Sequence, residues 1–216
     1  SGLTSSEICN AKQHSHNYVV PLLFCLILLC GSTAAAEDKP SGQFELGGRT
    51  TASLFNSESA AGYGTGGQFR IRFLESLNSE WFADYITNDV KTLGMREDAH
   101  IGWSVMFYPF AQPYTVGAFT PYLLAGHCFD YTRIVRYSDR GGEERLSSAV
   151  QAGLGTHYHL NDRFNLSLSA QYMLHLGNDI HASANAGALT IQKANHAFEG
   201  HLLMTFSLNY RVGNLW

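Results

Sequence analysis

The residues that most constrain this chain are 198–216, FEGHLLMTFSLNYRVGNLW, where apolar and polar side chains alternate without a break in register. Counting back in twos from Trp216 gives Asn214, Val212, Tyr210, Leu208, Phe206, Met204, Leu202, Gly200 and Phe198. Only Asn214 and Gly200 interrupt that apolar row. The intervening positions carry Glu199, His201, Thr205, Ser207, Asn209 and Arg211, with Leu203 as the apolar exception. A period of two belongs to an extended strand, because successive side chains point to opposite faces. Strands of soluble domains usually stop within about 3–10 residues. Strands that cross an outer membrane on a tilt carry this alternation through ~10 residues of lipid.

The pattern recurs along the chain. In 43–54, Phe44, Leu46, Ala52 and Leu54 oppose Glu45, Arg49 and Thr51; in 68–75, Phe69, Ile71 and Phe73 oppose Gln68, Arg70 and Arg72. Residues 81–87 alternate more weakly, and 99–107 place Ile101, Trp103, Val105 and Phe107 on one face. Residues 120–134 predict a fifth strand whose facing the pattern leaves open. Strands over 147–160 and 164–176 follow, the latter with the cleanest alternation of all. Gly-, Ser- and charge-rich stretches at 56–67, 88–98, 135–145 and 177–197 read as loops, and Pro109 and Pro113 mark a turn at 108–116. The result is an all-β chain of eight strands in up-and-down order, with long connections after strands 1, 3, 5 and 7. An even strand count with alternating short and long connections fits an antiparallel transmembrane β-barrel.

A chain of 216 residues, 45% hydrophobic and 15% charged, has room for one medium domain. A net charge of -4 without a Lys/Arg run excludes a nucleic-acid footprint. Residues 18–30 form an apolar run too short for the ~20 residues of a spanning helix. Lys12 precedes it and Ala34-Ala35-Ala36 follows, which predicts a secretory signal peptide over 1–36 and a barrel over 37–216. Its removal takes Cys9, Cys25 and Cys30 and leaves Cys128, so no internal disulfide is expected. Zinc spacing is absent, and no cofactor or metal is expected.

Alternation alone does not say which face points outward. Charges of both signs on the polar face (Glu45, Arg49, Arg70, Arg72, Glu199 and Arg211) suit a closed interior in which they pair. Aromatics near the ends of the apolar rows, among them Phe44, Phe69, Trp81, Phe107, Tyr158 and Trp216, suit interfacial girdles. A soluble, lipocalin-like ligand carrier with the apolar face inward is the alternative. Eight strands enclose a lumen that side chains fill. The interior charges are therefore expected to form a plug of salt bridges rather than an ion path, and His157, His159, His175 and His201 hydrogen-bonding filler.

The segments TPYLLAG, GLGTHYHLNDRFNLSLSAQY and LNYRVGNLW resemble the small outer-membrane β-barrel families, of the OmpA/OmpX or outer membrane protein β-barrel domain kind, over residues 42–216. The resemblance implies an exported integral outer-membrane barrel of a Gram-negative bacterium with a structural, adhesive or surface-complex role and no enzymatic activity. It implies contact with outer-membrane lipids and lipopolysaccharide, with the barrel-assembly machinery and periplasmic chaperones during biogenesis, and with a surface-complex partner. Phe206, Leu208, Tyr210, Val212 and Trp216 would form the signal read during assembly. Arg133, Arg136, Arg140 and Arg145, among acidic neighbours, would face outside, where guanidinium groups match phosphates. A second likeness supplies the enzymatic alternative, a lipid A-modifying hydrolase. His181-Ala182-Ser183 resembles the H-x-S motif of outer-membrane lipid A deacylases, with Glu199 as orienting carboxylate. Ala184 stands where that family has Asn, and Glu199 lies farther along the chain than the family spacing.

Overall fold

The computed structural model describes residues 41–55, 61–110, 115–177, 179–185, 188–194 and 200–216. The expected signal peptide, Phe198 and Glu199 lie outside these residues. Among the described residues there are ten strands: β1 (Gln43–Phe55), β2 (Gly62–Leu74), β3 (Leu77–Val90), β4 (Gly94–Phe107), β5 (Phe119–Arg136), β6 (Gly142–His159), β7 (Phe164–Leu176), β8 (Asp179–Asn185), β9 (Ala188–Ala194) and β10 (Gly200–Asn214). Eight close into an antiparallel barrel in the order β1-β10-β7-β6-β5-β4-β3-β2, and β8–β9 form a separate hairpin.

Paired residues followed round the wall from Phe44 run through Ile71, Ser79, Val105, Ala125, Ala152, Tyr172 and Leu202 and return to β1 at Leu54. The path thus comes back displaced along the strand, the stagger that tilts barrel strands by ~35–45° to the axis. The apolar row of each strand points outward: Leu46, Phe69, Trp81, Trp103, Leu123, Leu154, Leu168 and Phe206 are exposed, while Glu45, Arg49, Arg70, Arg72, Thr205 and Asn209 are buried inside. An exposed apolar wall round a polar lumen is the inverse of a lipocalin. It removes the soluble-carrier alternative.

Several expected loops are strand. The described part of 56–67 belongs to β2 from Gly62 onward, 88–98 is paired sheet broken only by the turn at 91–93, and 135–145 narrows to a turn at 137–141. The loop expected over 177–197 contains the β8–β9 hairpin. The alternation of short and long connections fails accordingly. At the end opposite the termini, here the upper end, the β3–β4 turn is short, while at the lower end residues 108–118 make a longer connection. The physical reason lies in β5 and β6, each 18 residues long against the ~9–11 needed to cross lipid on a tilt. Their upper parts lie beyond any lipid, so neither face there is required to be apolar.

The facing of β5 is now fixed. Thr120, Tyr122, Leu124, Cys128, Asp130, Thr132 and Ile134 point inward, whereas Leu123, Phe129 and Tyr131 point outward. Apolar residues occupy both faces, which is why alternation leaves this strand ambiguous.

Candidate functional site: the lumen and its upper mouth

In the lower lumen, Arg49 on β1 lies 3.2 Å from Glu80 and 3.0 Å from Asp84, both on β3. It reaches across β2 at Gly66, the register neighbour of both Arg49 and Asp84. A Cβ at Gly66 would collide with the Ala83 carbonyl and the Asp84 carboxylate, so only glycine leaves the guanidinium this route. Arg70 donates to Glu80 from Nε at 2.7 Å, pairs with it through Nη2 at 2.6 Å, and lies 3.9 Å from Glu45. Its Nη1 donates to Ser167 on β7 at 3.0 Å, which carries the network across the barrel. Gln68 donates to Asn209 at 2.6 Å, Asn209 donates to Asn165 at 2.9 Å, and Asn165 donates to Glu45 at 3.2 Å. Buried charge is tolerable when each ion is paired; here Arg49 and Arg70 each face carboxylates, with Arg49 Nε and Asp84 Oδ1 meeting as an ion pair rather than a hydrogen bond. Beside it, Met106, Tyr108, Tyr122 and Leu124 pack as an apolar cluster, with Tyr108 and His157 hydrogen-bonded at 3.0 Å.

Arg72 donates to the carbonyls of Leu74 and Glu75 and lies over the Tyr108 ring, 5.3 Å from its centroid. The backbone N–H of Arg211 donates to the Arg163 carbonyl. Of the expected charge network, Glu45, Arg49 and Arg70 thus converge, Arg72 closes the lower rim, and Glu199 falls outside the described residues. Glu80 and Asp84 complete the network and were not anticipated. Both lie on the parity opposite Trp81 and Tyr85, but Phe82 and Ile86 share their face and blur it.

Above this network the lumen turns apolar. Phe82, Ile86, Cys128, Ala149, Met173 and Leu203 form one buried cluster across the barrel, which accounts for Leu203 on an otherwise polar face. Cys128 Sγ contacts Met173 Sδ at 3.8 Å.

Above that septum lies a second polar group centred on Asp130. Its carboxylate is 2.5 Å from Arg145 Nη2, 2.9 Å from His175 Nδ1 and 3.2 Å from His100 Nε2. His175 Nε2 meets His201 Nδ1 at 3.1 Å, and His100 and His201, from opposite walls, stack with ring centroids 6.1 Å apart. Thr132 donates to Asp98 at 2.6 Å, and Asp98 pairs with Arg96 at 2.9 Å. Arg145, expected outside, is instead buried on Asp130. Among the described residues no group of three or more His, Cys, Asp or Glu side chains is arranged to hold a metal ion.

Beyond the septum the two sides of the barrel differ. The strands β3 to β6 continue upward, and the β8–β9 hairpin packs on their inner face through Ile180 and Leu189 against Val90 and Ile134, with Leu93, Ala182 and Ile191 alongside. At the β5–β6 tip, Arg136 donates to Asp139 at 3.1 Å and the Gly141 N–H donates to it at 2.9 Å. The Arg136 side chain and then that N–H hold the Asp139 carboxyl below its ordinary value. His181 and Ser183 lie on β8, paired in register with Gln192 and Thr190. On the lipid-facing side, a groove of about 620 Å³ runs between Thr50, Ala52, Tyr63, Thr65, Tyr85 and Phe206.

The comparisons with known proteins agree with this architecture. The family model described as outer membrane protein beta-barrel domain matches residues 22–193. Among solved structures, Neisserial surface protein A is similar at 12% identity and TM-score 0.56, covering 79% of this chain and 97% of its own. The outer membrane protein OprG of Pseudomonas aeruginosa is similar at 16% identity and TM-score 0.55, covering 82% and 98%. The N-terminal β-barrel domain of OprF from the same organism follows at 13% and 0.51, covering 80% and 99%. At these identities the likeness is one of fold. No curated protein matches the sequence.

Proposed function

Because the chain belongs to the outer membrane protein β-barrel domain family and resides in the bacterial outer membrane, we propose that it acts at the cell surface as a structural or adhesive barrel, or as one member of a surface complex, and not as an open pore. The observation that carries this reading is the contrast between a lumen crossed by side chains at three levels and a wall that continues past the lipid. Paired sheet runs to Val135↔Gly142 between β5 and β6 and to Val90↔Gly94 between β3 and β4. A pore needs neither the plug nor the projecting sheet, whereas a presented surface uses both: the plug stiffens the barrel and the sheet displays residues outward. Arg133, on the outer face and 3.7 Å from Glu97, stands where lipopolysaccharide headgroups would lie. The outward row of β10, with Phe206, Leu208, Tyr210 and Val212, followed by Trp216, is the segment the assembly machinery and its chaperones would read.

The test joins two measurements on the full chain. Reconstituted in planar bilayers it is expected to show no steady open channel. On intact cells, shortening the β5–β6 hairpin by residues 135–142 is expected to reduce attachment to surfaces or to neighbouring cells while barrel levels in the membrane stay unchanged. Steady conductance by the unmodified barrel, or attachment indifferent to the shortened hairpin, would sink the reading. The hydrolase alternative has its own assay, mass spectrometry of lipid A from cells expressing the wild type, His181→Ala and Ser183→Ala. An unchanged acyl profile in all three is expected. Loss of an acyl chain with the wild type alone would make the protein an enzyme.

A further inference from the structure

The outward row of β5 reads Leu123, Ala125, His127, Phe129, Tyr131, so an imidazole stands on the wall that meets lipid. Its depth follows from its neighbours. The Tyr131 and Tyr85 hydroxyls donate to Glu144 at 2.6 Å and to Glu97 at 2.8 Å, which marks the upper edge of the lipid. Phe119 and Tyr158, with ring centroids 4.9 Å apart, mark the lower edge. His127 is four residues below Tyr131 on the same strand. That is about 13 Å along the strand and about 10 Å in depth at a tilt of ~40°. Among the described residues no other His, Asp, Glu, Lys or Arg lies on the outer face at lipid depth.

Hydrocarbon offers an imidazole no hydrogen-bond partner, and ionisable residues within membranes ordinarily face protein or a water-filled cavity. In register beside His127, on β4, stands Trp103, whose indole N–H is a donor only. Trp103 is 41% exposed and packs on Trp81 with centroids 6.5 Å apart, while His127 meets the Phe129 ring edge-on at 5.2 Å. Neither His127 nor Trp103 makes a side-chain hydrogen bond among the described residues.

We propose that the β4–β5 face pairs with the same face of a second copy of this chain, each Trp103 indole N–H donating to His127 of the other copy. A neutral imidazole has one acceptor nitrogen. The face therefore carries a donor and an acceptor side by side, and a two-fold axis between the copies satisfies both at once. All copies insert the same way up, so only groups at one depth can meet across an axis along the membrane normal. Register partners on adjacent strands meet that requirement. Just below the pair the wall is low, because Ala125 is the register partner of both Val105 and Ala152. Small residues let two walls approach closely within lipid. The inference rests on the outer-membrane location and the facing of β5, and is independent of any adhesive role.

The test follows the full chain in lipid bilayers, by energy transfer between donor- and acceptor-labelled copies as lipid is added. The wild type is expected to pair. His127→Leu and Trp103→Phe are each expected to weaken pairing about tenfold, the worth of two intramembrane hydrogen bonds. The double variant is expected to lose no more than either single one, since both remove the same bonds. His127→Gln keeps an acceptor and is expected to stay within about threefold of the wild type. A second measurement needs no change to the pair itself. Disulfide crosslinking in outer membranes is expected for Ala125→Cys and not for Ala52→Cys, which lies on β1, four strands away in either direction round the barrel. Cys128 is buried and does not compete. A wild type that stays monomeric, losses that add in the double variant, or crosslinking at position 52 instead of 125 would overturn the proposal.

Discussion

Arg49 and Arg70 in the lower lumen and His100, His175 and His201 in the upper lumen perform one geometric task, filling the barrel across its width, with different chemistry. The lower carboxylates Glu45, Glu80 and Asp84 face guanidinium groups, which stay charged throughout the accessible pH range. The upper carboxylate, Asp130, faces one guanidinium and two imidazoles, and imidazole charge changes near neutrality. The lower network is thus held by permanent charges, and the upper one largely by imidazoles.

The sharpest way to break this contrast is to remove a cation from the fixed half. Arg70→Met leaves Glu80 and Glu45 buried with fewer partners and is expected to cost about 3–5 kcal/mol, read by urea unfolding in lipid vesicles. Adding Glu80→Leu is expected to restore much of it, because an apolar pair replaces an orphaned charge. A loss under about 1 kcal/mol for Arg70→Met would mean that water already reaches these groups, and the distinction between the two halves would go with it. A second test asks whether the wall separates both networks from lipid as the facing requires. Leu168→Arg, on the outer face of β7, is expected to cost about 2–4 kcal/mol, and Ser169→Arg, on the lumen side, less. Equal tolerance of the two would reverse the facing. The smallest effect belongs to the upper half. His100→Gln keeps a donor toward Asp130, which retains Arg145 and His175, and is expected to cost only about 0.5–1.5 kcal/mol in the same unfolding measurement. A cost matching that of Arg70→Met would make the upper group as rigid as the lower.

How much of this was legible in the sequence depended on where lipid acts. In β1, β2, β6, β7 and β10, lipid demands apolar residues on one face and the lumen accepts polar ones on the other, so facing could be read from alternation. In β3 and β5 the septum places Phe82, Ile86 and Cys128 on the inner face, and the contrast fades. Above the lipid there is no such demand, and 88–98 and 135–145 read as loops although they are largely paired sheet. The lower network was half visible, through Glu45, Arg49 and Arg70. The group around Asp130 was not, because it draws on β4, β5, β6, β7 and β10, and only the stagger of the closed barrel brings those positions to one level. The histidine pair was visible as His175 and His201 separately, with nothing in their spacing to say that they touch.

The seam between β1 and β10 has a consequence for how the molecule is made. It joins Gln43 to Asn214 and Phe55 to His201, and below it the Gly42 carbonyl accepts a hydrogen bond from the Leu215 N–H. Every other wall contact joins strands consecutive in the chain or, for β7 and β10, separated by one hairpin, and these can form as the strands arrive. The seam alone must wait for both ends, so it carries the largest loop-closure penalty in the fold. Until it shuts, β1 and β10 are open edges, and the charges of the lower lumen, which lean on Thr205 and Asn209 of β10, are not yet enclosed. Closure of this one seam is therefore the step that turns an open sheet with two bare edges into a sealed barrel.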